Sequence, residues 1–152
     1  MADCKVIVAG AGPAGLAAAA LLAKEGLATT VVAPAAGEDP RTVALMQPSI
    51  QLLRYLDIWP GKLESETSPL RKLRIIDDTG SLLVTPNLEF ASQDLNLEAF
   101  GWNVPLALLL PVLRRRAEDL GVTFVEATAT GAVSRDGAIH VTLSNSTEIS
   151  AT

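Results

Sequence analysis

The sequence predicts an α/β fold built on a parallel sheet, and three observations support this prediction. Residues Lys5–Ala9 form an apolar run with three successive β-branched side chains, typical of a strand buried on both faces. A glycine-rich turn and a helix pattern from Pro13 to Lys24 follow, with Gly26 just after the helix. Residues 28–33 are again apolar and β-branched. Strand, helix and strand in this order form a β-α-β unit, which joins parallel strands.

Composition restricts both size and function. The 152 residues suffice for one domain with a core, and 49% are apolar and 19% charged, as in soluble globular proteins. A net charge of −5 argues against a nucleic-acid partner, which usually requires a basic surface. Cys4 and His140 are the single cysteine and histidine, so a disulfide framework and a multi-thiolate metal cluster are excluded, and too few soft ligands are left for a zinc site. A reducing, cytoplasmic setting is expected.

The uncharged run at residues 6–23 has the length of a short membrane span. Three glycines and Pro13 interrupt it, and Asp3 with a single lysine precedes it, unlike a secretory signal. We therefore interpret it as strand, turn and helix, and we expect a chain that does not span a membrane.

The rest of the chain predicts further short elements. A helix is expected after Pro48-Ser49, with Ile50, Leu53 and Leu56 on its buried stripe. In the middle of the chain, we expect a strand at Lys72–Asp77, a turn at Asp78-Thr79-Gly80 and a second strand at Ser81–Thr85. A short strand is also expected at 102–104.

The last third predicts a helix, a strand and a small meander. The helix ends at Leu120, with Leu110, Leu113, Ala117 and Leu120 on one face and with Pro111 either in its first turn or at a kink. Residues 122–126 are expected to add a third strand to the opening sheet. The tail at 128–151 alternates and turns at Arg135-Asp136-Gly137, as an antiparallel β-meander would.

The opening turn carries the pattern Gly10-x-Gly12-x-x-Gly15 between a strand and a helix. Gly10 allows the tight turn, Gly12 lets the backbone approach a pyrophosphate, and Gly15 with Ala19 lets the helix pack closely on the sheet. The helix N-terminus offers free N–H groups and partial positive charge to phosphates. The context therefore predicts a Rossmann-type dinucleotide site rather than a turn that serves packing alone.

An acidic residue that binds ribose usually ends the second strand, but Ala33 and Pro34 stand there. Backbone groups could hold the ribose, or Glu38 or Asp39 could replace the acid, although solvated loop residues are the preferred interpretation. The missing acid is also compatible with NADP, with Arg41 facing its 2′-phosphate.

The segments GAGPAGLAAA, TTVVA and Asp39-x-Arg41-x-x-Ala44-Leu45 resemble FAD-dependent aromatic-ring monooxygenases of the para-hydroxybenzoate hydroxylase type, closest to the ubiquinone-biosynthesis hydroxylases. The resemblance implies that residues 1–152 are the N-terminal portion of an FAD-binding domain, with 71–104 partly an excursion into a substrate-facing sheet. It implies FAD reduced by NAD(P)H and oxygen-dependent hydroxylation of an aromatic substrate. Two later motifs of the family, Asp-Gly and Gly-Asp, are expected downstream of this chain.

The resemblance also implies cofactor contacts. A polar residue often begins the helix after Asn103 in this family, but Leu106 stands there, so Asn103 is the substitute. The predicted cofactor-binding residues are Gly10, Ala11, Gly12, Pro13, Ala14, Gly15, Ala33, Pro34, Arg41 and Asn103.

No catalytic residue is predicted. His140 alternates with apolar residues and is interpreted as a solvated strand residue, and Arg114–Arg116 as a solvated helix face. Trp59 and Trp102 are interpreted as core or interface anchors, with Trp102 nearer the cofactor side.

Two alternatives to the hydroxylase remain: an NAD(P)-dependent oxidoreductase, and a non-catalytic fragment. Exposed sheet edges predict homodimer formation. Peripheral contact with a membrane, to reach a lipid-tailed substrate, is a further possibility.

Overall fold

The computed structural model describes residues 5–35, 37, 39–61, 63–76 and 88–152. In chain order the helices and strands are β1 (Val6–Ala9), α1 (Pro13–Lys24), β2 (Thr29–Ala33), β3 (Thr42–Met46), α2 (Gln47–Tyr55), β4 (Ser68–Leu70), β5 (Lys72–Ile75), β6 (Leu88–Ala91), β7 (Gly101–Pro105), α3 (Leu106–Asp119), β8 (Thr123–Glu126), β9 (Ala129–Arg135), β10 (Ala138–Leu143) and β11 (Glu148–Ala151). Short 3₁₀ turns lie at Glu64–Glu66 and Ser92–Leu95.

A three-stranded parallel sheet in the order β1-β2-β8 forms the centre of the fold. Val8 pairs with Val31 in β2, and Val31 pairs with Phe124 in β8. The predicted α/β class and the predicted third strand are thus confirmed. The strands sit together because α1 carries the chain back to the start of β2, as a right-handed crossover requires.

One face of this sheet is covered by helices, and the other face is covered by β-strands. Val31 packs into the main core with Leu16 of α1 and Leu113 of α3. The adjacent Val32 belongs to a second cluster with Val141 of β10, because successive strand residues point to opposite faces. Helices therefore cover one face, and the β9-β10-β11 meander covers the other.

The β9-β10-β11 meander confirms the antiparallel meander that the sequence predicts at 128–151. β10 pairs antiparallel with both β9 and β11. Asp136 and Gly137 take positive φ angles of 53° and 77° in its hairpin turn, the conformation that an Asp-Gly pair favours.

A second antiparallel sheet, in the order β3-β7-β4, extends from the helical side. β7 confirms the strand predicted around Asn103, whereas β3 and β4 have no counterpart in the sequence-based prediction. Trp102 of β7 and Trp59 are both buried, with ring centroids 5.2 Å apart. Both tryptophans are core anchors, as expected, and Trp102 faces Trp59.

β5 and β6 form a separate two-stranded antiparallel ribbon. The strand predicted at 72–77 is found as Lys72–Ile75, and its partner is Leu88–Ala91. The predicted turn at Asp78-Thr79-Gly80 and the predicted strand Ser81–Thr85 lie outside the described residues.

The structure defines the buried face of the long helix and the position of its proline. The predicted face is confirmed, because Leu113 and Ala117 are buried and Leu110 and Leu120 pack partly buried against the same core. Leu106 and Leu109 are buried in addition. Pro111 is the sixth residue of α3 and lies beyond the first turn.

Arg116, predicted to be solvated, joins α3 to the end of α2. Its Nε donates to the Leu56 carbonyl at 2.7 Å, and its Nη2 lies 2.6 Å from the Asp57 carboxylate. Lys24 of α1 binds the same carboxylate at 3.0 Å. These charges tie three helices together at one end of the core.

No helix within the described ranges is long and apolar enough to cross a bilayer.

Candidate functional site

The glycine turn between β1 and α1 is the centre of the candidate site. The Gly10 amide donates to the Val32 carbonyl at 2.8 Å, which fixes the turn to the end of β2. Gly10 has a φ of +110°, a conformation that L side chains rarely adopt. This position therefore requires glycine for its backbone conformation.

Gly15 is required for packing. A Cβ placed there would lie 2.1 Å from the Gly10 carbonyl oxygen, so any side chain would push α1 away from the turn. Ala19, one turn further, is fully buried. Small residues thus let α1 approach β1 closely, as the sequence predicts.

Gly12 is different, because open space surrounds it. A Cβ built there meets no atom within 4 Å, and its φ of −73° is ordinary. Neither conformation nor internal packing therefore demands glycine at this position. The open space in front of the Gly12 backbone fits a ligand that approaches the main chain.

The beginning of α1 favours an anion. Pro13 is its first residue, no side chain caps the helix, and no acidic residue lies in the first turn. The amides of the first turn lack intrahelical partners and carry the positive end of the helix dipole. Ala14 and Gly15 are the first residues of α1 that have such amides.

A cavity of about 930 Å³ opens beside this turn. Its size lies in the range of cofactor-binding clefts. The wall is largely apolar, with one carboxylate and one guanidinium among the residues that line it: Ala11, Leu16, Gly37, Asp39, Pro40, Leu106, Ala107, Leu110, Pro111 and Arg114. The glycine turn, the loop after β2 and the first nine residues of α3 thus meet at one cavity.

Asp39 and Arg41 form a bidentate ion pair at the edge of this cavity. Arg41 Nε and Nη2 lie 2.9 and 2.6 Å from the two carboxylate oxygens, and the Arg41 amide also donates to Asp39 at 3.1 Å. The hydrogen bonds from the Arg41 side chain, followed by that from its amide, lower the pKa of Asp39 to about 2. The same pairing raises the pKa of Arg41.

The backbone of Arg41 is anchored next to α3. Its carbonyl accepts a hydrogen bond from the Leu106 amide at 2.9 Å, while its side chain is 77% exposed. The guanidinium is therefore attached to a fixed backbone, and it lies at the surface in its ion pair with Asp39.

The structure also gives the positions of the other residues that were predicted to contact the cofactor. Ala33 ends β2 half-buried, and Pro34 follows it exposed. Asn103 lies half-buried in the middle of β7, opposite Ala44 and Ser68. Glu38 lies outside the described residues. The cofactor contacts of Ala33, Pro34 and Asn103 stay predictions.

His140 lies on the meander and is less solvated than the sequence suggests. Its side chain is 18% exposed, and Nδ1 lies 2.9 Å from Glu148 Oε1. Arg135 Nη2 contacts the same oxygen at 2.5 Å. This ion pair joins three meander strands and does not line the cavity beside the glycine turn.

Sequence reasoning missed Arg114 as a cavity residue. Its guanidinium carbon lies 4.3 Å from the centroid of the Phe124 ring, and its Nε is 3.0 Å from Glu118. The available signal was spacing: Leu106, Leu110 and Arg114 recur every four residues on one helix face.

The comparison with protein families decides the cofactor. The family described as FAD binding domain matches residues 3–148. The chain belongs to this FAD binding domain family. FAD is therefore the cofactor, as the glycine turn and the Asp39-x-Arg41 element predicted, and the open space at Gly12 fits its pyrophosphate.

Solved structures of the same fold include enzymes with different activities. The flavin-dependent halogenase Xcc4156 from Xanthomonas campestris aligns with a TM-score of 0.77 at 16% identity, over 98% of this chain and 41% of its own. OxyS anhydrotetracycline hydroxylase from Streptomyces rimosus gives 0.76 at 19% identity, over 97% and 30%.

The p-nitrophenol 4-monooxygenase PnpA from Pseudomonas putida DLL-E4 gives 0.72 at 18% identity, over 97% of this chain and 38% of its own. The chain thus spans about a third of the length of these proteins. At such identities the likeness shows the fold.

A comparison with curated proteins gives no match. Within the described part of the chain, no group of three or more metal-ligating side chains comes together.

Proposed function

We propose that this chain is the FAD-binding portion of a flavoprotein monooxygenase that hydroxylates an aromatic ring with NAD(P)H and oxygen. The observation that carries the proposal is the glycine turn, open at Gly12 and closed at Gly15, beside a cavity of about 930 Å³ in a member of the FAD binding domain family. When bound and reduced, the flavin supplies the oxygen chemistry, and the protein supplies binding and orientation.

Each residue of the glycine turn has a different role in binding the pyrophosphate of FAD. Gly10 sets the direction of the turn, and Gly12 leaves its backbone accessible. The amides of Ala14 and Gly15 donate toward the phosphate oxygens at the positive end of α1. Ala11 and Pro13 complete the turn, Ala11 as part of the cavity wall.

Asp39 and Arg41 are proposed to act as a pair. A carboxylate accepts hydrogen bonds from ribose hydroxyls, and Asp39 is the single carboxylate among the described residues of the cavity wall. Asp39 thereby replaces the acid that Ala33 and Pro34 lack at the end of β2. Arg41, paired with Asp39 and exposed, is within the same loop and is proposed to turn toward the pyrophosphate.

The hydroxylase activity rests on two supports. The Asp39-x-Arg41-x-x-Ala44-Leu45 element resembles the aromatic-ring monooxygenases, and OxyS and PnpA, which share the fold, are named as a hydroxylase and a monooxygenase. The ubiquinone-biosynthesis role rests on the resemblance alone. Membership of the FAD family favours this proposal over the nicotinamide-dependent oxidoreductase.

The test is a titration of the purified chain with FAD, followed by flavin fluorescence. We expect saturable quenching in the parent chain and a loss of at least tenfold in affinity for Gly12→Val, because the new side chain fills the space in front of the turn. Gly131→Val is the matched control, because Gly131 lies in β9 and a Cβ added to its backbone also meets no atom within 4 Å. Equal affinities for the parent and Gly12→Val would refute the site.

Contacts with partners remain predictions. β1 pairs with β2, and a groove of about 600 Å³ lies beside it, lined by residues such as Ile7, Ile139 and Val141. We propose that a second copy of the chain covers this edge, which analytical ultracentrifugation would test: a monomer mass at all concentrations would refute it. The cytoplasmic setting and a peripheral membrane contact likewise stay predictions.

A further inference from the structure

The Asp39 carboxylate and the Arg41 guanidinium satisfy each other closely. Arg41 Nε and Nη2 donate to the two carboxylate oxygens at 2.9 and 2.6 Å, and the Arg41 amide donates to one of these oxygens at 3.1 Å. A carboxylate offers about four acceptor positions, so Arg41 occupies most of the capacity of Asp39. Hydrogen bonds from the Arg41 side chain are the main reason that the pKa of Asp39 is lowered to about 2, and both groups are charged at neutral pH.

The backbone around this pair is fixed on both sides. Pro40 lies between the two residues, where its own φ is locked and the backbone of Asp39 is restricted. The bond from the Arg41 amide to the Asp39 carboxylate closes an Asx turn. Beyond the pair, the Arg41 carbonyl accepts from the Leu106 amide at 2.9 Å, and Thr42 pairs with Pro105. The partner of the guanidinium can therefore change while the loop keeps its backbone.

The two members of the pair have different surroundings. The Asp39 side chain is 21% exposed and lines the cavity beside the glycine turn, whereas the Arg41 side chain is 77% exposed. An ion pair that water reaches contributes little to stability, so the guanidinium loses little when it exchanges one anionic partner for another. The Asp39 carboxylate, in contrast, would be left without a cation in a largely apolar wall, which is unfavourable.

We propose that Asp39 competes with the phosphate oxygens of a ligand for Arg41, and that this competition selects a nucleoside pyrophosphate over a free phosphate anion. The inference rests on the proposed cofactor site, and it adds the means by which that site rejects other anions. Asp39 thereby determines specificity.

The selectivity follows from what each ligand offers to the two side chains. A free phosphate anion accepts hydrogen bonds from Arg41, but it has nothing to replace the guanidinium at Asp39, and its charge repels the carboxylate. A nucleoside pyrophosphate also brings ribose hydroxyls, which donate to the carboxylate that Arg41 has left. The difference in affinity between the two ligands therefore comes from the group that the wrong ligand leaves without a partner.

The experiment measures the affinity of the whole chain for two probes by isothermal titration calorimetry: inorganic pyrophosphate, and ADP, which carries the adenosine and the pyrophosphate of FAD. In Asp39→Asn we expect pyrophosphate to bind about threefold more tightly, because an exposed ion pair no longer holds the guanidinium. The ratio of ADP affinity to pyrophosphate affinity should fall about tenfold, because a neutral amide accepts from the ribose more weakly than a carboxylate. Asparagine keeps an oxygen for the Arg41 amide, so the Asx turn is preserved.

The Arg41→Gln background separates competition from simple charge repulsion. There is no guanidinium to release in this background, so Asp39→Asn should raise the pyrophosphate affinity by less than it does in the parent chain. An equal or larger gain would show that Asp39 only repels anions. A loss of pyrophosphate affinity in the single variant Asp39→Asn would show that Asp39 holds Arg41 in place for the anion. Either result would overturn the inference.

Glu89→Gln is the matched control. Glu89 also accepts from cationic side chains, with Lys72 and Arg74 each 2.9 Å from one of its oxygens, but it lies on the β5–β6 ribbon and outside the described wall of the cavity beside the glycine turn. Both affinities should be those of the parent chain. A change like that of Asp39→Asn would make the effect one of net charge and would overturn the inference.

The outcomes also separate this inference from the proposed cofactor site. ADP binding that Gly12→Val abolishes, with an affinity ratio that Asp39→Asn leaves unchanged, retains the site and overturns the competition. A parent chain that binds neither ADP nor pyrophosphate refutes the site and the inference together.

Discussion

Gly12 and Gly15 belong to the same motif, but the structure assigns them different physical roles that substitution by alanine can separate. In Gly15→Ala the new Cβ would lie 2.1 Å from the Gly10 carbonyl oxygen, 0.9 Å short of the 3.0 Å that real Cβ atoms keep. The obstacle is backbone, so α1 must move as a unit. In Gly12→Ala the new Cβ meets nothing within 4 Å.

The magnitudes follow from these distances. A clash with backbone in a packed region costs about 3 kcal/mol, at the upper end of overpacking effects. Alanine is a better helix former than glycine, which offsets about 1 kcal/mol of this cost at position 15. The net loss in the free energy of unfolding is therefore about 2 kcal/mol. For a domain of this size that corresponds to a fall in Tm of about 4–8 °C. Gly12→Ala should change the unfolding free energy by less than about 1 kcal/mol.

Thermal unfolding measures the packing role of Gly15, and flavin fluorescence measures the ligand-binding role proposed for Gly12. Gly15→Ala should lose stability, and Gly12→Ala should keep its Tm while losing at least tenfold in FAD affinity. A Gly15→Ala variant with the parent Tm would refute the packing argument. A Gly12→Ala variant as unstable as Gly15→Ala would refute the assignment of Gly12 to the ligand.

Three further outcomes test the electrostatics and the core. In Arg41→Gln the pKa of Asp39 should rise from about 2 toward 3.8, measured by carboxyl ¹³C NMR titration, and an unchanged value would contradict the ion pair. The pKa of Asp57 is lowered, mainly by its hydrogen bond from Lys24, so its contribution to stability is present above pH 3.8 and disappears as the pH falls through the lower folded pKa. Asp57→Asn should therefore lower the Tm at pH 7, and the difference from the parent should shrink as the pH falls below 3.8; a constant difference would argue against the charge effect. Trp102→Ala, which empties a buried ring site, should cost about 3–5 kcal/mol in urea unfolding, and a midpoint like that of the parent would contradict its place in the core.

The elements that the sequence predicted well are those specified locally. α1 has the predicted bounds, because proline begins it and the pattern of small and apolar residues ends just before glycine. The hairpin turn at Asp136-Gly137 follows from the ease with which these residues adopt positive φ. β8 was predictable because an apolar run follows a helix that ends at glycine.

The elements that were missed depend on distant partners. β3 pairs with β7, and Thr42 meets Pro105 across 63 positions of chain. Residues 42–46 have a weak strand pattern of their own, so the pairing partner determines their conformation. The same holds for β4 and β6, which are three and four residues long.

The sequence by itself determined the β-α-β unit and its glycine turn, because strand, turn and helix signals act over neighbouring residues. The resemblance carried by that turn and the Asp39-x-Arg41 element also predicted FAD, with NADP left as an alternative that the family comparison decided. Only the tertiary structure brought Asp39 and Arg114 to one cavity, and separated the packing role of Gly15 from the open space at Gly12. Such contacts join residues far apart in the chain, and packing rather than local propensity decides them.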